Sequence, residues 1–207
     1  MRHVLSFAIT LALGLSLGAL LKADSPDAPP AASSKVENVE AQLPNLIYTL
    51  TTGGCGMPKE AEDLVRIGKP AVPALMIQLD RSHWPTRWKA TRVLGQIGPD
   101  AKDALPQLER NLTRPDRHLL EKKYDTLAIA GIKSDPKPLI EALESGQALG
   151  DPRTDYAVEL LGKMGPTAKD ALPILKRLVE KSRTKSPSKQ IGIEALKKIE
   201  AADKPAE

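Results

Sequence analysis

The chain is poor in aromatic side chains and has one cysteine. Among 207 residues there are two Trp, three Tyr and one Phe. A core built from this composition must be filled mainly by aliphatic groups. Runs of β-branched residues are also scarce, which disfavours sheets. Cys55 stands alone, so no internal disulfide can form. No GxSxG, P-loop, HExxH, CxxC or dinucleotide fingerprint is present. The sequence therefore offers no catalytic constellation, no metal site and no cofactor motif. Excess charge is small as well. The formal net charge is +4, and setting Arg2 and Lys22 aside leaves 4 − 2 = +2 for residues 24–207. That balance gives no ground for a nucleic-acid partner.

What is abundant is Ala, Leu, Lys and Glu, the composition of helices. The clearest internal signal is Leu94–Leu112, LGQIGPDAKDALPQLERNL. It returns as Leu161–Val179, LGKMGPTAKDALPILKRLV, at a constant offset of 67 with twelve of nineteen positions identical. In each copy a Gly-Pro pair (Gly98-Pro99, Gly165-Pro166) ends one helix, because Gly accepts a left-handed cap and Pro cannot continue the helix. Asp100–Asp103 and Thr167–Asp170 then read as N-caps followed by an acid, close to a capping box. Pro106 and Pro173 predict a bend or a short 3₁₀ start.

The Leu-Pro-x-Leu element of this joint gives anchors at Pro44, Pro73, Pro106, Pro138 and Pro173, with an apolar residue two places on each time: Leu46, Leu75, Leu108, Ile140 and Leu175. The period is roughly thirty-three residues, the length of a helix pair in a solenoid. First helices are expected near 36–51, 70–80, 101–113, 136–145 and 168–182. Second helices are expected at 58–67, 83–97, 117–132, 152–164 and 187–200. The expected core comprises Leu75, Leu79, Leu94, Ile97, Leu108, Leu112, Leu127, Ile140, Leu143, Leu161, Leu175, Leu178 and Leu196.

Outside this domain, Arg2 and His3 precede an uncharged run, Val4–Leu21, followed by Lys22-Ala23. Residues 1–23 read as a Sec signal peptide, or as an uncleaved N-terminal anchor. No Cys follows the run, which excludes lipoprotein processing. Either way the folded part is expected to be exported, periplasmic or secreted. Residues 24–35, rich in Pro, Ala and Ser, read as a disordered linker. The repeat domain then spans 36–202, and 203–207 form a frayed tail. Thr51–Met57 (TTGGCGM) reads as a mobile glycine loop and Ser182–Ser188 as a polar turn.

The repeats resemble HEAT repeats, in particular the short bacterial type named after phycobilisome lyases. Ile67-Gly68-Lys69-Pro70-Ala71-Val72-Pro73-Ala74-Leu75 is similar to that family's repeat opening. Thr86-Arg87 through Ala90 to Leu94-Gly95-Gln96-Ile97-Gly98 is similar to its second helix. The resemblance covers about Pro44 to Ile199. Repeat three departs from it at Ala130-Gly131-Ile132-Lys133, and repeat five lacks the Leu-Gly. What it implies is an all-α fold, an α-solenoid of about five antiparallel helix pairs forming a HEAT-like superhelix. It also implies a non-catalytic scaffold that binds a protein partner, since the repeat motif encodes packing and carries no catalytic residues. The family name supplies the alternative, a chromophore- or cofactor-attaching protein.

The candidate binding residues are Trp84, Arg87, Trp88, Lys123 and Tyr124. Trp84 and Trp88 are four apart and share a helix face. Tyr124 stands seven residues before Gly131, as Trp88 stands seven before Gly95, so the two rings should lie side by side on neighbouring repeats. Such rings either pack repeats together or form a binding surface with Arg87 or Lys123 at its edge. His83 and His118 each start a second helix and read as structural or surface residues. Asp103 and Asp170 read as caps. Cys55 reads as an exposed loop thiol without an activating base, against a rival role in covalent attachment. Residues 176–198 hold eight Lys or Arg, read as a solvated face; weak contact with anionic lipid or glycan is the alternative.

Overall fold

The computed structural model describes residues 32–52, 57, 59–81, 83–145, 148–182 and 186–201. Among them the chain is all-helical, without a strand. Ten α-helices follow in order: α1 (Ala32–Thr52), α2 (Glu60–Ile67), α3 (Val72–Leu79), α4 (Trp84–Ile97), α5 (Leu105–Thr113), α6 (Leu119–Lys133), α7 (Lys137–Glu144), α8 (Pro152–Met164), α9 (Leu172–Lys181) and α10 (Pro187–Glu200). Every expected helix is present within a few residues of its expected bounds. α1 begins at Ala32, inside the stretch expected to be linker, because Ala32-Ser33-Ser34-Lys35 contains no helix breaker once Pro29-Pro30 is passed. The apolar run Val4–Leu21, the remainder of the linker to residue 31, Cys55 and the tail from 202 lie outside the described residues. No described helix is long and apolar enough to cross a membrane.

The joints differ from their expected capping chemistry. Gly98 (φ 75°) and Gly165 (φ 58°) take the positive φ that glycine allows. Seven-residue 3₁₀ segments, Gly98–Ala104 and Gly165–Ala171, then lead straight into α5 and α9, with Pro106 and Pro173 in the first turn. No side-chain cap is formed at these starts. The acids Asp100, Asp103 and Asp170 are exposed, and the Thr167 hydroxyl donates back to the Met164 carbonyl at 2.9 Å. The continuous helical backbone already uses the amides that a cap would have satisfied. Side-chain caps form instead at the starts of α6, α8 and α10, from His118, Asp151 and Ser186, and His118 makes a full capping box. Its Nδ1 accepts from the Leu120 amide at 3.2 Å, while Glu121 accepts from the His118 amide at 3.1 Å.

The core is mainly aliphatic and falls in two clusters, one from α1 to α6 and one from α6 to α10, the second including Tyr124 and Tyr156. Leu50, Leu64, Leu75, Leu79, Leu94, Leu108, Leu139, Leu161 and Leu175 are fully buried. Each such side chain contributes about 1.5–3 kcal/mol of transfer free energy. Of the expected core, Leu75, Leu79, Leu94, Leu108, Leu127, Leu143, Leu161 and Leu175 are buried; Ile97, Leu112, Ile140, Leu178 and Leu196 are only half-buried. Ile140 illustrates the reason. α3, α5 and α9 enter through a 3₁₀ segment, but α7 starts directly after Pro136, so its inward face turns by one residue and Leu139 takes the buried place.

The second helices approach closely along glycines. A Cβ on Gly95 would collide with the Tyr156 hydroxyl and lie 2.8 Å from Ala128 Cα; one on Gly131 would lie 2.8 Å from the Gly95 carbonyl; one on Gly162 would lie 3.0 Å from Ala195 Cα. The Leu-Gly of the repeat is therefore a packing requirement at these helix crossings. As a result α4 touches both α6 and α8.

Candidate functional site

Part of one stripe of side chains down the second helices meets in a groove. On α4 the stripe is Trp84, Trp88, Arg92 and Gln96, four residues apart along one face. On α6 it is Leu120, Tyr124 and Ala128. At the offset of 67 it is Asp151, the N-cap of α8, then Asp155, Glu159 and Lys163 on α8; on α10, Ile191 and Ala195. A groove of about 560 Å³ is lined from this stripe by Trp84, Trp88, Arg92, Tyr124, Asp155 and Glu159, with Leu120 and Ile191 adding apolar wall.

The rings form a chain. Trp84 and Trp88 lie 6.3 Å apart, tilted by 53°. Trp88 meets Tyr124 edge-on at 5.7 Å, as the shared spacing to Gly95 and Gly131 predicts. Tyr124 continues to Tyr156 at 6.1 Å. Exposure falls along this line: Trp84 is 48% exposed, Trp88 half-buried and Tyr124 5% exposed. The inner rings hold repeats together, and only the outermost presents a large face to solvent. Burial pushes the Tyr124 and Tyr156 phenols up. The Tyr156 hydroxyl donates to the Arg92 carbonyl at 3.2 Å.

Arg92 stands at the centre, 8% exposed. Its guanidinium lies 5.6 Å from the Trp88 ring centre and 4.8 Å from that of Tyr156. Its Nη2 donates to Glu159 Oε2 at 2.8 Å, and Gln96 Nε2 donates to the same oxygen at 2.6 Å. Trp88 Nε1 and Arg92 Nε are buried without a hydrogen-bond partner among the described residues. Asp155 is held from two sides: the Gly150 amide donates at 2.9 Å and the Ser188 hydroxyl at 2.6 Å.

Two of the five expected site residues lie elsewhere. Arg87 points to the interface of α4 and α6, where its Nε donates to Glu121 at 2.8 Å and its Nη1 to the Arg81 carbonyl at 2.8 Å. Lys123 lines a second pocket of about 310 Å³ with Leu127, Pro138, Glu141, Arg153 and Thr154. Each precedes a ring residue by one position, and about 100° of helical rotation carries it off the stripe. Sequence reasoning missed Arg92, Asp155 and Glu159; the offset of 67 pairs Trp88 with Asp155 and Arg92 with Glu159 as equivalent positions, but does not show that they meet.

Other polar groups are buried between the helices. Glu121 joins Arg87 at 2.6 Å and Arg117 at 3.8 Å. Arg117 Nη2 donates to the Leu79 carbonyl at 2.7 Å, and Lys89 Nζ to the Leu50 carbonyl at 3.0 Å. The Thr91 hydroxyl donates to Asp125 at 3.0 Å. Burial pushes the Asp125 carboxyl up to about 6, against the pull of that hydroxyl and of Arg117. These groups tie helices together.

Among the described residues no group of three His, Cys, Asp or Glu is placed to hold a metal. Comparison with family profiles, curated proteins and solved structures gives no match for this chain.

Proposed function

We propose that this chain is an exported, non-catalytic scaffold of the HEAT-like kind, an α-solenoid of about five helix pairs that holds a protein partner. The observation that carries this reading is the groove. Its walls are the same helical position repeated on α4, α6, α8 and α10, and a repeat protein presents its binding surface through such equivalent positions. Trp84 leaves a large ring exposed at the mouth, and exposed aromatic groups beside a fixed polar array are the anchors of protein interfaces. Arg92, Asp155 and Glu159 are held in this wall by bonds to neighbouring helices and turns, an arrangement suited to recognition.

A photo-crosslinking residue at Leu120, in the protein expressed in its own host, tests the reading. A recurrent partner should be captured there, and Trp84→Ala should reduce capture at least tenfold without changing the melting temperature. Equal capture from position 77 on α3, where Ile77 is exposed outside the groove, or capture indifferent to Trp84→Ala, would overturn it. Intact mass of the exported protein, and its fractionation across the envelope, tests the location separately.

A further inference from the structure

We propose that the groove takes a basic side chain, lysine or arginine, carried on an extended segment of the protein partner. This rests on the reading of the groove as the partner site and adds the chemistry of its occupant.

Charge complementarity carries it. Three formal charges stand in the groove wall. Glu159 is balanced by Arg92 at 2.8 Å. Asp155, one turn before Glu159 on the same face of α8, has no cationic partner among the described residues. Its two oxygens are positioned by neutral donors, the Gly150 amide and the Ser188 hydroxyl. Among the described residues the groove therefore carries one negative charge, at a fixed place, without a cation beside it.

The aromatic side points the same way. Ring faces are electron-rich and attract cations. Within this stripe the inner rings already hold one, since Arg92 lies against Trp88 and Tyr156. The outermost ring, Trp84, is 48% exposed and has no such partner among the described residues. Leu120 and Ile191 provide an apolar strip for the methylene stem of a long basic side chain. An acidic side chain would meet Asp155 and Glu159 instead, with Arg92 already committed.

The overall charge sharpens the test, because the chain as a whole is net basic. General electrostatics therefore repels a polycation, and attraction must come from a local feature. Trp84 and Trp88 are the only tryptophans, and both line the groove, so intrinsic fluorescence reports on it directly.

The experiment titrates the full chain with acetylated, amidated tetralysine, tetraglutamine and tetraglutamate at low salt. Tetralysine should change the fluorescence saturably, with an affinity at least tenfold above the other two, and the affinity should fall as salt is added. Trp84→Leu, read through Trp88, and Asp155→Asn should each weaken tetralysine at least fivefold, with circular dichroism unchanged in Trp84→Leu. Preference for tetraglutamate or tetraglutamine, or tetralysine binding indifferent to both substitutions, overturns the assignment of a basic occupant. If no peptide binds while capture at Leu120 still depends on Trp84, the occupant is wrong and the groove reading stands. If that capture fails too, both fall.

Discussion

Arg92 and Glu159 occupy the same position of two repeats, 67 residues apart, and are bonded to each other at 2.8 Å. One turn further on, the equivalent pair Gln96 and Lys163 is also joined, with the Lys163 ammonium donating to the Gln96 carbonyl at 2.8 Å. Equivalent faces of α4 and α8 thus confront one another across α6. The identical offset that marks the repeat in sequence reappears as a set of contacts, because α4 and α8 touch.

That pairing predicts energetic coupling. Glu159→Ala should lower unfolding free energy by about 1–3 kcal/mol, since it strips the partner from an arginine with little access to water. Glu159 is a quarter exposed, which places the effect below that of a fully buried pair. In a double-mutant cycle with Arg92→Ala, urea denaturation should show a coupling of about 1 kcal/mol. Additive losses would mean the pair is incidental.

Gly95→Ala should destabilise, although alanine is the better helix former by about 1 kcal/mol. The added methyl meets the Ala128 backbone at 2.8 Å and the Tyr156 hydroxyl. Overpacking of this kind costs about 1–3 kcal/mol. A rise in melting temperature would show that α4 and α6 separate more readily than their packing suggests.

Leu94→Ala and Leu161→Ala should each cost about 2–5 kcal/mol as core cavities. Leu112→Ala, at a half-buried position, should cost less than either. Equal losses at all three would contradict the burial pattern.

Asp125 gives a pH signature. Its folded-state carboxyl titrates near 6, above the ordinary value of about 3.9. The folded state therefore binds this proton more tightly than the unfolded chain does. The resulting stability is full below the unfolded value and is lost as pH rises through about 6, on the order of 2–3 kcal/mol in all. Asp125→Asn keeps an acceptor for the Thr91 hydroxyl and removes the ionisation. It should flatten stability between pH 4 and 6 and leave the variant more stable than the parent at pH 7. Chemical denaturation across that range decides it, and an unchanged slope would place the titration elsewhere.

The two tryptophans should separate structure from recognition. Trp88 packs on Tyr124 and Arg92, so Trp88→Ala should lower the melting temperature by several degrees. Trp84→Ala, at an exposed ring, should leave it within about a degree, as substitutions outside the core do. The reverse order would exchange the roles of the two rings.

The helices, their order and their breaks were readable in the sequence, because periodicity and Gly-Pro punctuation are local signals. Trp88 beside Tyr124 was readable too, since both positions count back seven residues from a glycine of the same kind. Local signals could not decide how the joints satisfy their backbone. The 3₁₀ segments there use their own amides, and the acids are left in water. Nor could they settle the phase of α7, which depends on whether a 3₁₀ turn precedes it. The groove itself belongs to the tertiary structure alone. Asp155 and Glu159 sit 63 to 75 positions from the two tryptophans and the arginine they share the groove with, and only the close glycine crossings of α4, α6 and α8 bring them there. Arg87 and Lys123 adjoin ring residues in sequence and still leave the site, because one step along a helix turns a side chain by about 100°.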